Sequence, residues 1–310
     1  MIRLERKGLV MGPSKGQLGE FARFNPGVIL KDGVVHMLYR ASDGDIHDKA
    51  NYVSRIGYAR LDVNGIVQSD SGIPVIYPTF PEEKMGCEDP RIVEFEGAFY
   101  VFYTAYDGKK ARVAAAKTKD FKAYEKLGVI KHCFTFDKDA FIIPERVGGK
   151  IAFFHRIEPN IQLEYFDSME ELLSEKSWKG YENKFETRRL MKRKYQWEQK
   201  KIGGSLPPVK TVEGWLLIYH GVDNNNIYRV GAALLDLNNP SKVLCRLPYP
   251  ILEPQEEYEI SGDVGNVVFP CGAYVYNKEL YIYYGGADKY IAMSKINVEE
   301  LLKELGRYPC

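Results

Sequence analysis

The 310-residue chain carries 43 Lys and Arg against 42 Asp and Glu, a formal net charge of +1, and 45% of its residues are hydrophobic. This balance argues against a nucleic-acid-binding protein, which usually concentrates a basic excess on one face, and it favours small-molecule partners. No window approaches the roughly 20 apolar residues of a membrane span, and the N-terminus lacks the apolar run of a signal peptide. The sequence therefore predicts a cytoplasmic protein without a membrane partner.

Short aromatic runs dominate the chain, which has 22 Tyr and 15 Phe, and their spacing is typical of β-strands rather than helices. Five segments repeat one pattern: an apolar strand, a turn, an aromatic strand, and a strand rich in small residues. In chain order they are 24–40 with 54–61, 88–108 with 111–118, 139–156 with 160–166, 205–221 with 228–235, and 267–286 with 290–296.

Each repeat has a hairpin signal at its first turn. The signals are Asp32-Gly33, Glu96-Gly97, Gly148-Gly149, Glu213-Gly214 and Asn277-Lys278, and successive turns lie 64, 52, 65 and 64 residues apart. A repeat of this size with three or four strands fits one propeller blade. We therefore predict an all-β fold, a five-bladed β-propeller that forms one domain over residues 1–310. A β-sandwich or barrel with accidental internal similarity is the alternative.

Short peripheral and C-terminal helices are predicted at two places. Residues 168–178 open on a Ser-x-x-Glu capping pattern, and residues 297–305 have Asn297 as an N-cap. The basic, irregular stretch 179–201 is interpreted as a solvated surface excursion, although an acceptor-binding arm or an oligomer contact stays open. The sequence leaves the oligomeric state undecided, a homo-oligomer included.

Polar residues interrupt the repeats at matching positions, which a propeller would bring to one pocket. At the entry of the first strands are Asn25, Asp89, Asp139, Ser205 and 263–266. Seven residues after each turn come Arg40, Thr104, Arg156, Gly221 and Gly285, preceded by Tyr39, Tyr103, His155, His220 and Tyr284. Burying such groups unpaired is costly, so we expect them to face a solvated cavity or one another. The alternative is local: turn caps for the acids, and nearby carboxylates for Arg40 and Arg55.

Cysteine and histidine spacing argues against a metal site. The five cysteines are scattered and include no C-x-x-C pair, and no two histidines have metal-ligand spacing with a carboxylate at hand. We therefore expect reduced, structural cysteines, no metal and no cofactor.

Several long blocks resemble one known family. FNPGVILKDG, SRIGYA, EDPRI, KDAFIIPERVGGKIAFFHR, KIGGSLPPVKTVEGWLLIYHGV and GNVVFPCGA are similar to the signature blocks of the β-mannoside phosphorylases of glycoside hydrolase family 130. The resemblance runs from about Phe24 to Leu301. It implies a five-bladed propeller and a reversible, inverting phosphorolysis of β-mannosides, in which inorganic phosphate is the co-substrate and α-mannose 1-phosphate a product.

Carried across block by block, the resemblance also implies residue roles. Asp89, in EDPR, matches the sole catalytic acid, which protonates the glycosidic oxygen through a sugar hydroxyl. An inverting hydrolase needs a second carboxylate to activate water, whereas phosphate is already charged and is held by cations and hydrogen-bond donors. The phosphate-binding candidates are Lys138, Arg156, His220 and Tyr228, and the substrate-binding candidates are Asn25, Arg40, Arg55, Asp139 and Asp263. Arg91 is expected either to orient Asp89 or to pair with Glu88.

The polar loop within 41–59 resembles that of the β-1,2-mannobiose and β-1,2-oligomannan branch, and so favours a β-1,2 linkage. Three alternatives remain: a β-mannoside hydrolase of the same fold, with Asp139 or a glutamate as second acid; a phosphorylase of β-1,4-mannosyl-glucose or β-1,4-mannosyl-N-acetylglucosamine; and a non-catalytic sugar-binding propeller.

Overall fold

Strands make up most of the regular structure. The computed structural model describes residues 1–44 and 52–310, and within these ranges it has 21 strands. In chain order they are β1 (Glu5–Met11), β2 (Ala22–Lys31), β3 (Val34–Ser42), β4 (Ser54–Leu61), β5 (Val67–Asp70), β6 (Gly86–Phe95), β7 (Ala98–Tyr106), β8 (Ala111–Thr118), β9 (Glu125–Val129), β10 (Asp137–Ile142), β11 (Ile151–Ile157), β12 (Ile161–Phe166), β13 (Arg189–Met191), β14 (Lys201–Gly204), β15 (Val209–Lys210), β16 (Trp215–Val222), β17 (Tyr228–Leu235), β18 (Val243–Arg246), β19 (Val268–Tyr276), β20 (Glu279–Gly286) and β21 (Tyr290–Asn297).

The helices are short and few. They are α1 (Met169–Leu173), α2 (Glu257–Ile260) and α3 (Val298–Leu305), with 3₁₀ turns at Pro81–Glu83, Glu175–Trp178, Tyr181–Asn183, Phe185–Arg188 and Gln196–Glu198. Both predicted helix starts are confirmed, because Ser168 caps α1 and Asn297 caps α3 through side-chain oxygens that accept backbone N–H groups. The first helix is shorter than the predicted 168–178, since extended backbone at Ser174 separates α1 from the 3₁₀ turn Glu175–Trp178. In the part of the chain that is described, no helix is long and apolar enough to cross a membrane.

The strands form five antiparallel units, each built on one of the five sequence repeats. Unit one is β2–β5, unit two β6–β9, unit three β10–β13, unit four β14–β18, and unit five β19–β21 with β1 added at its edge. Units one and two share one sheet through a single parallel pair, Ser54 with Gly86. The mostly-β prediction is confirmed, but the described strands form four sheets where the sequence predicts five separate blades.

Gly86 is what permits that junction. A Cβ at this position would lie 2.7 Å from the Ser54 Cβ and 2.8 Å from the Ser54 backbone nitrogen, and the Gly86 φ of +147° is rarely adopted by other residues. The junction therefore depends on the missing side chain.

The fourth repeat begins earlier than predicted. Its first strand is β14, and the chain pairs with β16 again only at β15, after Pro207 and Pro208. Proline has no N–H to donate to a strand ladder, which explains why the predicted strand entry at Ser205 is instead a break between two short strands.

The hydrophobic core consists of separate clusters that lie between neighbouring units. Five buried clusters each combine residues of two successive units, and one of them combines the last unit with the first. The shared members include Phe102 with Phe153, Phe154 with Leu217, Ile218 with Ile282, Tyr283 with Met37, and Ile56 with Val101. Neighbouring residues of one strand, such as Phe153 and Phe154, face opposite sides of their sheet. The first strands follow the same order: β2 contacts β6, β6 contacts β10, β10 contacts β14, and β19 contacts β2. Unit four contacts β19 through β16 and β17.

Three buried glutamates hold strands β7, β16 and β20 in place, one strand in each of three units. Each glutamate accepts a tyrosine hydroxyl from that strand, two backbone N–H groups of its own turn, and a basic side chain. The sets are Glu83 with Tyr103 and Lys126, Glu198 with Tyr219 and Arg246, and Glu259 with Tyr284 and Arg6.

These contacts correct the predicted alignment of unit four. The sequence places His220 in line with Tyr103 and Tyr284, but Tyr219 occupies that position, since it makes the equivalent bond to Glu198. The fourth hairpin closes through a four-residue turn, 211–214, whereas the first closes through the two residues 32–33. The predicted alignment, which counts residues from the turn glycine, is therefore shifted by one residue in unit four.

The stretch 179–201 is more than a surface excursion. It contributes β13, the outer strand of unit three, and the buried Glu198 of unit four, and it ends at the start of β14. That part of the interpretation is wrong, because Tyr181 and Trp197 are buried within it.

We expect Glu198→Gln to lower the free energy of unfolding by about 3 kcal/mol, because it leaves the buried Arg246 without its carboxylate partner. Urea denaturation followed by circular dichroism measures the change. Glu299→Gln is the matched control, since Glu299 pairs with Lys278 at the exposed surface and its loss should change stability by less than about 1 kcal/mol. Equal effects of the two substitutions would contradict this role for Glu198.

Candidate functional site

Three equivalent first strands carry the same backbone irregularity. Asn25, Asp89 and Asp139 have φ values of 48°, 53° and 56°, and each sits at a register shift of its strand pair. Left-handed backbone is uncommon outside glycine, and Asn and Asp tolerate it best. Because β-bulges redirect side chains, these three point together, and the Asn25 Nδ2 group donates to Asp89 Oδ1 at 2.8 Å.

The side chains meet in a cavity of about 330 Å³ to which all five units contribute. It is lined by Asn25, Arg40, Asp89, Phe136, Lys138, Asp139, Arg156, Glu158, Lys201, His220, Tyr228, Val264, Val267, Phe269 and Asp288. Eight of the ten predicted site residues are among them.

Arg55 and Asp263 are the two predicted site residues that do not line the cavity. Arg55 follows the buried Ser54 on β4, so its side chain lies on the opposite face, where it pairs with Asp43 at 3.2 Å. Asp263 pairs with Lys289 at 3.1 Å. Residues 45–51, the centre of the predicted polar loop, lie outside the described residues.

Asp89 is buried among cations. Arg40 Nη1 lies 3.2 Å from its Oδ1, the atom that also accepts from Asn25. Burial alone would favour the protonated carboxyl, but Arg40, Lys138 and Arg91 outweigh it and lower the pKa of Asp89. Among these cations Asp89 is therefore a carboxylate.

Asp139 is held by a second set of cations. Arg91 Nη2 donates to Asp139 Oδ1 at 2.9 Å, and Arg156 Nε lies 2.7 Å from Asp139 Oδ2. Against the desolvation caused by burial, Arg156 and Arg91 hold the pKa of Asp139 well below its usual range.

The two predicted roles of Arg91 are both revised, because its Nη1 donates to the Asp89 carbonyl and its carboxylate partner is Asp139 rather than Glu88.

His220 and Tyr228 add two neutral groups to the cavity wall. Burial lowers the pKa of His220 to about 3 despite the nearby Asp139, so the imidazole is uncharged at neutral pH. Burial also raises the pKa of Tyr228 to about 12, so its phenol keeps the proton. The two rings stack with centroids 6.1 Å apart.

Polar atoms near Arg156 are buried without an aligned hydrogen-bond partner. They are Arg156 Nε, His220 Nε2 and Asp139 Oδ2; the 2.7 Å Arg156–Asp139 contact is an ion pair whose angles do not fit a hydrogen bond. Unsatisfied buried donors cost free energy. Arg156 Nε, and His220 Nε2 when it carries the ring proton, can therefore donate to a small anion, whereas the carboxylate oxygen Asp139 Oδ2 cannot.

Several cavity groups escaped the sequence reasoning. Lys201 Nζ donates to Glu158 at 2.9 Å and lies beside Arg156, and burial and that guanidinium lower its pKa. Asp288 lies in the turn between β20 and β21, and burial raises its pKa to about 7, with Asp89, Asp263 and Glu88 adding to the effect against Arg40. Lys201 is the first residue of β14 and Asp288 lies in the turn after β20, and the repeat comparison aligned neither position.

The described residues contain no cluster of three or more His, Cys, Asp or Glu side chains arranged to hold a metal ion. The cavity chemistry is that of ion pairs and hydrogen bonds.

Comparison with known proteins identifies the family. The sequence model of glycoside hydrolase family 130, described as beta-1,4-mannooligosaccharide phosphorylase, matches residues 15–307. The chain belongs to glycoside hydrolase family 130.

Individual family 130 proteins match over almost the whole chain. A 1,2-beta-oligomannan phosphorylase of a Thermoanaerobacter species is 37% identical over 308 residues, 97% of this chain and 99% of that protein. A beta-1,2-mannobiose phosphorylase of the same organism is 38% identical over 314 residues, 97% and 98% of the two chains. The solved structure of the Listeria innocua beta-1,2-mannobiose phosphorylase, in complex with beta-1,2-mannobiose, aligns with a TM-score of 0.79 at 29% identity and covers 92% of each chain.

We expect Asp288→Asn to stabilise this family 130 chain more at pH 8 than at pH 5, by about 1–3 kcal/mol. The pKa of Asp288 is raised from 3.8 to about 7 on folding, so the native state holds this proton more tightly, and the stability that the proton provides is lost as pH rises towards 7. Asparagine at this position does not ionise, so this loss of stability does not occur, and asparagine tolerates the φ of 50° found at Asp288. Urea denaturation at both pH values tests this, and an equal effect at pH 5 and pH 8 would contradict it.

Proposed function

We propose that the protein catalyses the reversible, inverting phosphorolysis of β-1,2-mannosides, releasing α-mannose 1-phosphate and a shortened acceptor. The observation that carries the proposal is the division of one cavity into a buried acid, Asp89, and a group of cations and neutral donors around Arg156. An acid and an anion site are the two parts that phosphorolysis requires.

Asp89 is the proposed catalytic acid. Asn25 and Arg40 both contact Oδ1, so we assign Oδ2 to the sugar, through whose hydroxyl the proton passes to the glycosidic oxygen. Asn25, Arg40 and Asp139 are assigned to the mannosyl unit. Asp263 and Arg55 are less well supported as sugar contacts, because neither lines the cavity.

Lys138, Arg156, His220 and Tyr228 are the proposed phosphate-binding residues, and Lys201 joins them. Arg156 Nε and His220 Nε2 lack aligned partners, and the Tyr228 phenol is an additional donor. Guanidinium and ammonium groups bind phosphate by charge-assisted hydrogen bonds.

The state of Asp139 favours phosphorolysis over hydrolysis. A hydrolase needs a carboxylate basic enough to activate water, but two arginines hold the pKa of Asp139 far below that range. Asp288 has a higher pKa, but it lies on the side of Arg40 and Asp89, with the acid rather than with the anion site.

The linkage assignment depends on the relatives. Two β-1,2-specific proteins match 97% of this chain at 37% and 38% identity, whereas the family model carries a β-1,4 description. We therefore propose β-1,2-mannobiose or a short β-1,2-oligomannoside as the sugar substrate, with the β-1,4 disaccharides as the alternative.

We further propose that the five units are the blades of one propeller. The closed order of contacts, from unit one to unit five and back to β2, supports this arrangement. A cytoplasmic location and a homo-oligomer stay predictions.

The reverse reaction tests reaction class and linkage together. The protein is incubated with α-mannose 1-phosphate and a panel of acceptors that includes mannose, β-1,2-mannobiose, glucose and N-acetylglucosamine, and the product linkage is read by NMR. We expect β-1,2-linked products from mannose and β-1,2-mannobiose. A β-1,4 product from glucose would overturn the linkage assignment, and the absence of any transfer would count against the phosphorylase.

Variants separate the acid from the anion site. Asp89→Asn should lower kcat by about 10²–10⁴-fold, because the proton donor is lost. Arg156→Ala and His220→Ala should mainly raise the KM for phosphate. Arg229→Ala is the matched control, since Arg229 pairs with Asp223 and Glu253 away from the cavity. An unchanged KM for phosphate in both cavity variants would exclude the proposed phosphate site.

A further inference from the structure

Glu88 is a buried carboxylate that does not line the cavity but contacts two residues that do. Its side chain is 4% exposed; Oε1 accepts from Arg40 Nη2 at 3.0 Å and Oε2 accepts from Lys138 Nζ at 3.1 Å. Each oxygen thus holds one cation. Glu88 also immediately precedes Asp89 on β6, at the register shift of that strand.

The two cations lie on different sides of the proposed reaction. Arg40 contacts Asp89 at 3.2 Å, on the side assigned to the sugar. Lys138 belongs to the proposed phosphate site and also lies close enough to Asp89 to lower its pKa. Glu88 therefore connects the acid to the anion site without lining the cavity itself.

The charges around Asp89 come from every neighbouring element. The positive groups are Arg40 on β3, Lys138 on β10 and Arg91 on β6 itself. The acids that face Asp89 are Glu88, Asp139 on β10 and Asp288 after β20. Asn25 on β2 donates a hydrogen bond, and Cys271 on β19 carries a buried thiol whose pKa is raised. Arg91 is already paired with Asp139. Glu88 is thus the acid that balances Arg40 and Lys138.

We propose that Glu88 is a positioning residue that fixes Arg40 and Lys138 and offsets their charge, so that Asp89 can take up the proton it donates once phosphate occupies the site. The inference rests on the proposed function. Bound phosphate adds negative charge beside Lys138, and together with Glu88 it favours the protonated acid. Without Glu88 the same two cations hold Asp89 as a carboxylate.

The sign of the pH effect follows directly. A catalytic acid works when protonated, so activity falls as pH rises through its pKa in the substrate complex. Removing the negative charge of Glu88 lowers the pKa of Asp89, and the alkaline limb of the kcat profile moves to lower pH. The KM for phosphate should not rise, because Lys138 loses a competing anion.

Glu88→Gln tests the proposal, with Glu83→Gln as the matched control. Glu83 is equally buried and pairs with Lys126 and Tyr103, neither of which lines the cavity. In phosphorolysis of β-1,2-mannobiose we expect Glu88→Gln to lower kcat about tenfold, to move the alkaline limb down by roughly one pH unit and to leave the KM for phosphate no higher than in the wild type. Glu83→Gln should leave the limb in place.

A second variant keeps the test valid if Glu88→Gln does not fold. Glu88→Asp retains the charge but is one methylene too short to reach both cations, so kcat should fall while the alkaline limb stays within about 0.3 pH unit. An unmoved limb in folded Glu88→Gln, or an unchanged kcat in Glu88→Asp, would overturn the proposal. A wild-type protein without phosphate-dependent turnover would instead overturn the proposed function itself.

Discussion

The architecture depends on burying charged groups only as mutual partners. A buried carboxylate or guanidinium without a partner destabilises a protein by several kcal/mol, and at this cavity the strands of different units supply the partners for one another. Arg91 of unit two is neutralised by Asp139 of unit three, and Arg40 of unit one by Glu88 and Asp89 of unit two. The charge network therefore joins units that are otherwise held by separate hydrophobic clusters.

The same network divides the cavity by chemistry. On one side Asn25, Arg40 and Asp89 form a carboxyl site whose protonation is set by neighbouring charge. On the other side lie Arg156, His220 and Lys201, and Arg156 Nε and His220 Nε2 have no aligned hydrogen-bond partner. Lys138 lies between the two sides, paired with Glu88. Under the proposed mechanism, anion binding on one side and protonation of the acid on the other are coupled electrostatically through Lys138 and Glu88, which suits a reaction with a charged nucleophile.

The repeat pattern predicted much of this arrangement because repeat-equivalent positions converge. Asn25, Asp89 and Asp139 at the strand entries, and Arg40, Arg156 and His220 after the turns, could be aligned from sequence, and the resemblance added Lys138 and Tyr228. The left-handed bulges at the three strand entries could not be predicted, since they depend on pairing with the second strand. Tyr219 was misaligned because the turn at 211–214 differs in length, and Lys201 and Asp288 were missed because they lie outside the compared positions. Arg55 was assigned to the site from its block alone, without knowledge of the face it occupies on β4.

The most direct test of the account is to follow β-1,2-mannobiose with the wild-type protein by ³¹P and ¹H NMR, in buffer with and without inorganic phosphate. The account expects mannose and α-mannose 1-phosphate in equal amounts when phosphate is present, and no consumption of the disaccharide when it is absent. Release of two mannose molecules per disaccharide at the same rate in phosphate-free buffer would contradict it.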